Sequence, residues 1–518
     1  MTTEPDAAAF TAAYDAGRPQ VVWRRVVDDL ETPVSAFLKI GSGRPYAFLF
    51  ESVEGGAWRG RYSIIALDPE LVWRARGDQA EIALGPEAIA ADAFQPQAQG
   101  ALASLRALVD SSRIDMPAEL PPMAAGLFGV LGYDVVRLAE PLGEPNPDPL
   151  DLPDAVMMRP QVVAVFDGVA QEILLVAPVR PRDGVSASTA RDAAEARLQA
   201  TIRTLHAPPP ARSEPSRPAE GPPAPVSPVD RAAYREVVGA AKRYIEAGDI
   251  FQVVPSRRSS AAHAGDPFAF YRALRRLNPS PFLYFLNFGG FQLAGSSPEI
   301  LVRYRDGKVT IRPIAGTRPR GKTPAHDAEL EAELLADPKE QAEHLMLLDL
   351  GRNDVGRAIG LGRPSPQGGG ANRPGKVRVT QSFGIERYSH VMHIVSNVEG
   401  EATAPLDPVD VILTALPAGT LSGAPKVRAM QIIDELETVK RGVGYGGAAG
   451  YIGAGGDVDT AIVLRTALFK NGVMYVQAGG GVVADSDPDA EFDETEHKAR
   501  ALARAAQEAW RFEPPIGE

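Results

Sequence analysis

The chain has 518 residues, 44% of them hydrophobic and 23% charged, with 54 basic side chains against 66 acidic ones and no cysteine. That length supports a large core and more than one structural unit, and the missing thiols exclude disulfides, thiolate metal sites, iron–sulfur clusters and a cysteine nucleophile. A net charge of −12, with no Lys/Arg stripe interleaved with aromatics, argues against a nucleic-acid partner.

From the N-terminus, "MTTEPDAAAFTAAYDAGRPQ" has no basic segment followed by an apolar one, and no apolar run approaches membrane-spanning length. A cytoplasmic protein with no membrane contact is the expectation. Strand patterns follow at 46–54, 61–67, 161–167 and 172–179, then helical spacing over 187–205. Residues 207–228 hold nine prolines in 22 positions and predict an extended linker between parts 1–206 and 229–518. Beyond it, 230–248 has helical spacing, and 282–295 and 299–314 read as antiparallel strands. Residues 362–376 are Gly/Pro-rich and predict a surface loop. The best hairpin is 462–483, with Asn471-Gly472 as its two-residue turn, and a last helix is expected over 491–510. Hairpins mixed with helices predict an α+β fold with large antiparallel sheets. Gly442, Gly444 and Gly447 match G-x-G-x-x-G, but the preceding "DELETVKR" is polar and helical, so no dinucleotide site is expected.

Two acidic clusters carry chemistry. "DPKEQAEH" (337–344) opens a helix with an Asp N-cap, Pro at the first turn, and Glu340 and Glu343 three apart. Helix capping alone accounts for such a turn. "EFDETEH" (491–497) repeats the spacing with Glu491 and Glu494, and residues three apart share a helix face. Two such turns facing each other repel unless a cation joins them, and an all-oxygen set selects Mg²⁺. Across the Asn471-Gly472 turn, positions summing to 943 pair, which sets Arg465 opposite Ala478 beside Gly479, Gly480 and Gly481. Glycines exposing N–H groups next to a guanidinium suit a carboxylate ligand; a bulge with a surface arginine fits the spacing equally well.

"PIAGTRPRG" (313–321), "DPKEQAEHLMLLDLGRND" (337–354), "ERYSHVMHIVSNVEG" (386–400), "LPAGTLSGAPKVRAM" (416–430), "YGGAAGYIG" (445–453) and "QAGGGVVADSDPDAEFDETEHKA" (477–499) together resemble the chorismate-utilising enzymes, most closely the anthranilate synthase component I family. The resemblance implies two antiparallel sheets packed face to face and surrounded by helices, with chorismate and Mg²⁺ in a cleft. It implies Glu343 and Glu494 as direct magnesium ligands, with Glu340 and Glu491 in the outer shell. Arg465 and Tyr445 match carboxylate-binding positions, Gly316, Thr317 and Gly479 to Gly481 line the pocket, and Lys498 is an additional cation. Glu299 resembles the acid that protonates the departing hydroxyl, His393 the histidine of pyruvate elimination, and Thr420 a neighbour of the reacting groups.

Within the family, single residues separate the products. Where aminodeoxychorismate synthases carry a nucleophilic lysine the chain has Ala315, and where isochorismate synthases carry a water-activating lysine it has Gln252. Neither replacement does that chemistry, so ammonia is the implied nucleophile and anthranilate the product. With no cysteine, the ammonia is expected from a separate glutamine amidotransferase subunit (component II), in a heterotetramer of two large and two small subunits. "LFESVE" (49–54) and "NPSPFLYF" (278–285) resemble the two elements of an L-tryptophan effector site, implying Ser52, Asn278, Pro281, Phe282 and Leu283. Aminodeoxychorismate synthase, or a non-catalytic tryptophan-sensing protein, are the alternatives.

Overall fold

Successive residues of the first long strands bury their side chains in two different cores, as the period of two in an extended chain requires. The computed structural model describes residues 2–52, 60–208, 221–360, 375–388 and 391–513; most of the proline-rich linker and of the predicted 362–376 loop falls outside the described residues. Val22, Leu49, Ile65, Ala164 and Leu175 pack outward against helices Ala7–Asp15, Pro33–Ile40, Ala187–Leu205, Pro267–Leu277 and Pro488–Glu508. Their chain neighbours Val21, Phe48, Ile64, Val163 and Leu174 point the other way, into a core built mainly of strand residues. On the far side, Trp73, Leu127, Met157, Val302 and Ile452 pack against helices Ala101–Ser111, Pro338–Ala358 and Pro408–Ala415. The result is two antiparallel sheet layers face to face, with helices on both outer surfaces.

Strands Tyr62–Arg76 and Ala155–Asp167 serve both layers. The register between them shifts at Pro69/Leu71, an irregularity that bends the pair from one layer into the other. Twenty strands of the described residues join one closed hydrogen-bonded network, and Gln252–Val253 with Gly423–Ala424 form a separate two-stranded sheet. The halves of the chain share this network: Phe48–Glu51 pairs with Phe282–Asn287, and Gly126–Leu131 with Ala448–Gly453. No helix of the described residues is long and apolar enough to cross a membrane.

The predicted hairpin forms in its predicted register, with Ala467 opposite Val476 and Lys470 opposite Val473. Asn471 and Gly472 both take positive φ, 51° and 73°, as a tight hairpin turn demands. The ladder ends before Arg465, however. Arg465 has φ 47° and leaves the strand, and Ala478 pairs with Arg257 instead. Gly442–Gly444 forms a 3₁₀ turn between helix Lys426–Leu436 and strand Ala448–Gly453, the reverse of the strand–turn–helix order that a dinucleotide loop needs.

Candidate active site

Helix Pro338–Ala358 starts at Asp337, whose Oδ1 accepts hydrogen bonds from the backbone N–H groups of Lys339 (3.0 Å) and Glu340 (3.3 Å). Helix Pro488–Glu508 starts in the same way, Asp487 accepting from Asp489 (3.1 Å) and Ala490 (2.9 Å). The two mouths meet electrostatically. Burial, then the charges of Glu340 and Glu494, push the Glu343 carboxyl above its ordinary range. Burial likewise raises Glu491, with Glu494 adding to the shift against a hydrogen bond from Ser486. Partners are unevenly shared among the four. Glu340 accepts from Arg318 (3.2 Å) and Glu494 pairs with Lys498 (2.7 Å). Glu491 accepts from Ser486 Oγ through Oε1 (2.7 Å), while its buried Oε2 has no partner.

Crowding carboxylates in a partly buried place is unfavourable unless positive charge joins them. The oxygen-only donor set and the orphaned Glu491 oxygen suit a hard divalent cation, which takes one or two carboxylates and completes its shell with water and anionic ligand oxygens. Among the described residues, no group of three or more His, Asp or Glu forms a closed cluster that could hold an ion by itself.

Next to these mouths lies a buried acid. Glu299 follows strand Gln292–Ser297 and accepts a hydrogen bond from Thr420 Oγ1 (3.2 Å). Burial outweighs that hydroxyl and the charges of Arg465 and Lys498, and pushes the carboxyl up to about 8. It is therefore protonated at neutral pH. The half-buried Arg465 is lowered by the same desolvation, with Glu299 opposing the shift. Its left-handed backbone turns the guanidinium into this site, where an anion is its natural counterpart.

His393 stands on strand Val391–Glu401, opposite Thr317. Its Nδ1 lies 3.0 Å from the Gly316 carbonyl and 3.1 Å from Thr317 Oγ1. A carbonyl only accepts, so Nδ1 carries the proton and Nε2 is left as the acceptor. Burial holds this imidazole below its ordinary value, which keeps it neutral at pH 7 with Nε2 unprotonated.

The glycines close the arrangement. A Cβ on Gly316 would lie 3.1 Å from Glu340 Oε2, on Gly479 3.0 Å from the Tyr445 hydroxyl, on Gly480 2.6 Å from Glu491 Oε2, and on Gly481 2.7 Å from Gln252 Nε2. Any larger residue would push into a site side chain. Lys498 Nζ donates to the Gly479 carbonyl (2.9 Å), and the buried Gln252 Oε1 has no partner. Glu299, His393, Thr420, Gln252, Tyr445, Arg465, Lys498, the glycines and both acidic turns thus surround one region.

A second cavity, of 310 Å³, is lined by Ser52, Pro281, Phe282 and Leu283. Ser52 Oγ accepts from the Gly60 N–H (2.8 Å); Val53 and Glu54 of the predicted element fall outside the described residues. Asn278 does not line this cavity: its amide donates to Ser296 Oγ (3.1 Å). Sequence reasoning missed Met123, Arg303, Arg305 and Asp459 in the wall. Arg303 and Arg305 were findable, since residues two apart on a strand share a face.

The sequence profile of the chorismate binding enzyme family matches residues 48–504. The anthranilate synthase component 1 of Cereibacter sphaeroides is 54% identical over 509 residues, 97% of this chain and 98% of that one. The chain belongs to the anthranilate synthase component I family of chorismate-binding enzymes. The component 1 of Pseudomonas putida is 48% identical over 483 residues, covering 92% of this chain and 93% of the relative. The crystal structure of anthranilate synthase component I from Streptococcus pneumoniae TIGR4 superposes with a TM-score of 0.72 at 34% identity, over 93% of this chain and 99% of that one. The component I fold also extends to MenF, the menaquinone-specific isochorismate synthase from Escherichia coli, with a TM-score of 0.67 at 18% identity over 97% of this chain and 100% of that one.

Proposed function

We propose that this component I family member converts chorismate and ammonia into anthranilate, pyruvate and water, as the first committed step of cytoplasmic tryptophan biosynthesis. The observation that carries the reading is Glu299: a buried carboxyl pushed up to about 8 beside the half-buried Arg465. It pairs a proton donor with an anion-binding group, which a dicarboxylate losing a hydroxyl requires.

Arg465 and Tyr445 bind the enolpyruvyl carboxylate, and Gly316, Thr317 and Gly479 to Gly481 leave room for the ring. Glu299 gives its proton to the C4 hydroxyl, which departs as water while ammonia adds at C2 and the ring double bonds shift. The new ammonium group loses a proton to solvent. His393 Nε2 then takes the C2 proton, the C3–oxygen bond breaks, and the released enol is protonated to pyruvate as the ring becomes aromatic. Glu343 and Glu494 would hold Mg²⁺, with Glu340 and Glu491 acting through water. When bound, the ion neutralises the ring carboxylate. Ala315 cannot attack the ring and Gln252 cannot activate water, which supports ammonia as the nucleophile.

Without a cysteine, ammonia comes from a separate glutamine amidotransferase subunit, in a heterotetramer of two large and two small chains. The 310 Å³ cavity at Ser52 and Pro281–Leu283 takes L-tryptophan as feedback inhibitor. The test is product identity from the purified chain. Chorismate, Mg²⁺ and ammonium should give fluorescent anthranilate and equimolar pyruvate, and glutamine should replace ammonium only when the small subunit is added. Aminodeoxychorismate as the product, or no turnover of chorismate, would reject the reading.

A further inference from the structure

Behind Glu299, on the side of helix Pro338–Ala358, lies a cavity of 30 Å³ walled by Glu299, Thr420, Asp354, Gly351, Leu350 and Pro313. Its size suits one water molecule, and a buried water needs several polar partners. Asp354 is buried, with 4% of its surface exposed. Its Oδ2 accepts from Lys426 Nζ (2.7 Å), but its Oδ1 is buried without a partner. A buried carboxylate oxygen with no donor is unfavourable, and a water in this cavity supplies one. The same cavity is lined by Glu299, whose carboxyl the proposed reaction deprotonates in every cycle. At its other end the half-buried Leu350 and Ala418 stand between it and solvent.

We infer that this cavity holds a water which returns the proton to Glu299 after each turnover, and that Asp354 is the positioning residue that anchors it. This rests on the reading of Glu299 as the acid. The step balances: the water passes a proton to the Glu299 carboxylate as it takes one from a solvent hydronium, while the Asp354 carboxylate, paired with Lys426 through Oδ2, accepts a hydrogen bond from the water through Oδ1 and keeps it in place. The groups acting on Asp354 are Lys426 and Arg357, which oppose protonation, and Glu140, which favours it; burial favours it most. Lys426 holds one oxygen in place and leaves the other to the water.

The test separates the first turnover from the following ones in the full-length protein. In Asp354→Asn, anthranilate formation in a single turnover by enzyme pre-equilibrated at about pH 6.5, below the Glu299 value of about 8, should proceed at the wild-type rate. Repeated turnover should slow by about 10²-fold, the low end of what a positioned proton-transfer group supplies. Small weak acids such as formic acid or imidazolium should restore it. Gly351→Ala, whose Cβ would come 3.1 Å from Pro313 Cγ, narrows the cavity without touching a charge and should show the same split. Equal slowing of both phases with no rescue, or unchanged repeated turnover in both variants, would overturn the proposal. Failure of the single turnover in the wild type itself would count against the reading of Glu299 instead.

Discussion

At Glu299 the protein holds a carboxyl neutral where an exposed one would be charged, and two consequences follow. The proposed acid must be protonated to act, so turnover should fall as pH rises through about 8, read as an alkaline limb in the rate profile. Glu299→Gln keeps the shape without the proton and should lower turnover by about 10²- to 10⁴-fold. The same shift works against folding. Between the ordinary carboxyl value and about 8 the folded chain binds a proton that the unfolded chain does not, so stability falls as pH rises, at ~1.4 kcal/mol per pH unit. Glu299→Gln should therefore lose less stability than the wild type between pH 6 and pH 8 (about the span of that titration), measured by denaturant unfolding. His393→Ala removes the imidazole held at Gly316 and Thr317, the proposed proton acceptor, and the aminated intermediate should accumulate in place of anthranilate. Little of this was visible in the residues alone. "SSPE" does not announce a buried acid, because burial comes from strands distant in sequence, and Asp354 reads as an ordinary polar position on a helix until its orphaned oxygen is seen.

Elements defined by local chemistry were legible. Asp-Pro at both acidic helix starts, Asn-Gly at the hairpin and the pattern of 187–205 each specify structure within a few residues, and the helix Ala187–Leu205 and strand Glu172–Val179 match their expected limits. Elements defined by tertiary burial were not legible. Strand Gly126–Leu131 is buried on both faces, so its alternation is lost. Its Gly129 has no room for a side chain, since a Cβ would meet the Val156 carbonyl at 2.0 Å. The Ala155–Asp167 strand extends well before the expected 161 because it crosses from one sheet layer to the other. Arg465 was assigned to a ladder that its positive φ terminates. At this scale the glycine run is the sensitive element. Gly480→Ala places a methyl against Glu491 Oε2 and should raise the Mg²⁺ concentration needed for half-maximal activity by on the order of tenfold, as loss of an outer-shell partner does in other metal sites. Thermal stability should change little.

Across the whole molecule, the sheets are shared between residues before and after the linker, and the 310 Å³ cavity at Ser52 lies where they meet. Phe48–Glu51 and Phe282–Asn287 pair directly, so Ser52 and Pro281–Leu283 sit at one end of a single ladder. Glu51 anchors that end, accepting from Arg275 through both oxygens at 2.9 and 3.0 Å. The ladder continues into strand Gln292–Ser297, the neighbour of Phe282–Asn287 and the strand that leads to Glu299, which is the route by which the proposed effector would reach the acid. Ser52→Arg introduces a long cation where the hydroxyl accepts from Gly60, and inhibition of anthranilate formation by L-tryptophan should be relieved while uninhibited activity is kept. Equal inhibition of variant and wild type would remove Ser52 from the effector site. This convergence was not readable from spacing, because it depends on strands more than 200 residues apart.

The central claim is that acidic turns from two remote helices share one divalent ion with the substrate. Its most direct measurement is magnesium titration of anthranilate formation by the wild type, Glu343→Gln and Glu494→Gln, with far-ultraviolet circular dichroism confirming the fold. The wild type should saturate with Mg²⁺, and both variants should lose magnesium-dependent turnover while remaining folded. Superimposable titration curves for all three proteins would contradict the account.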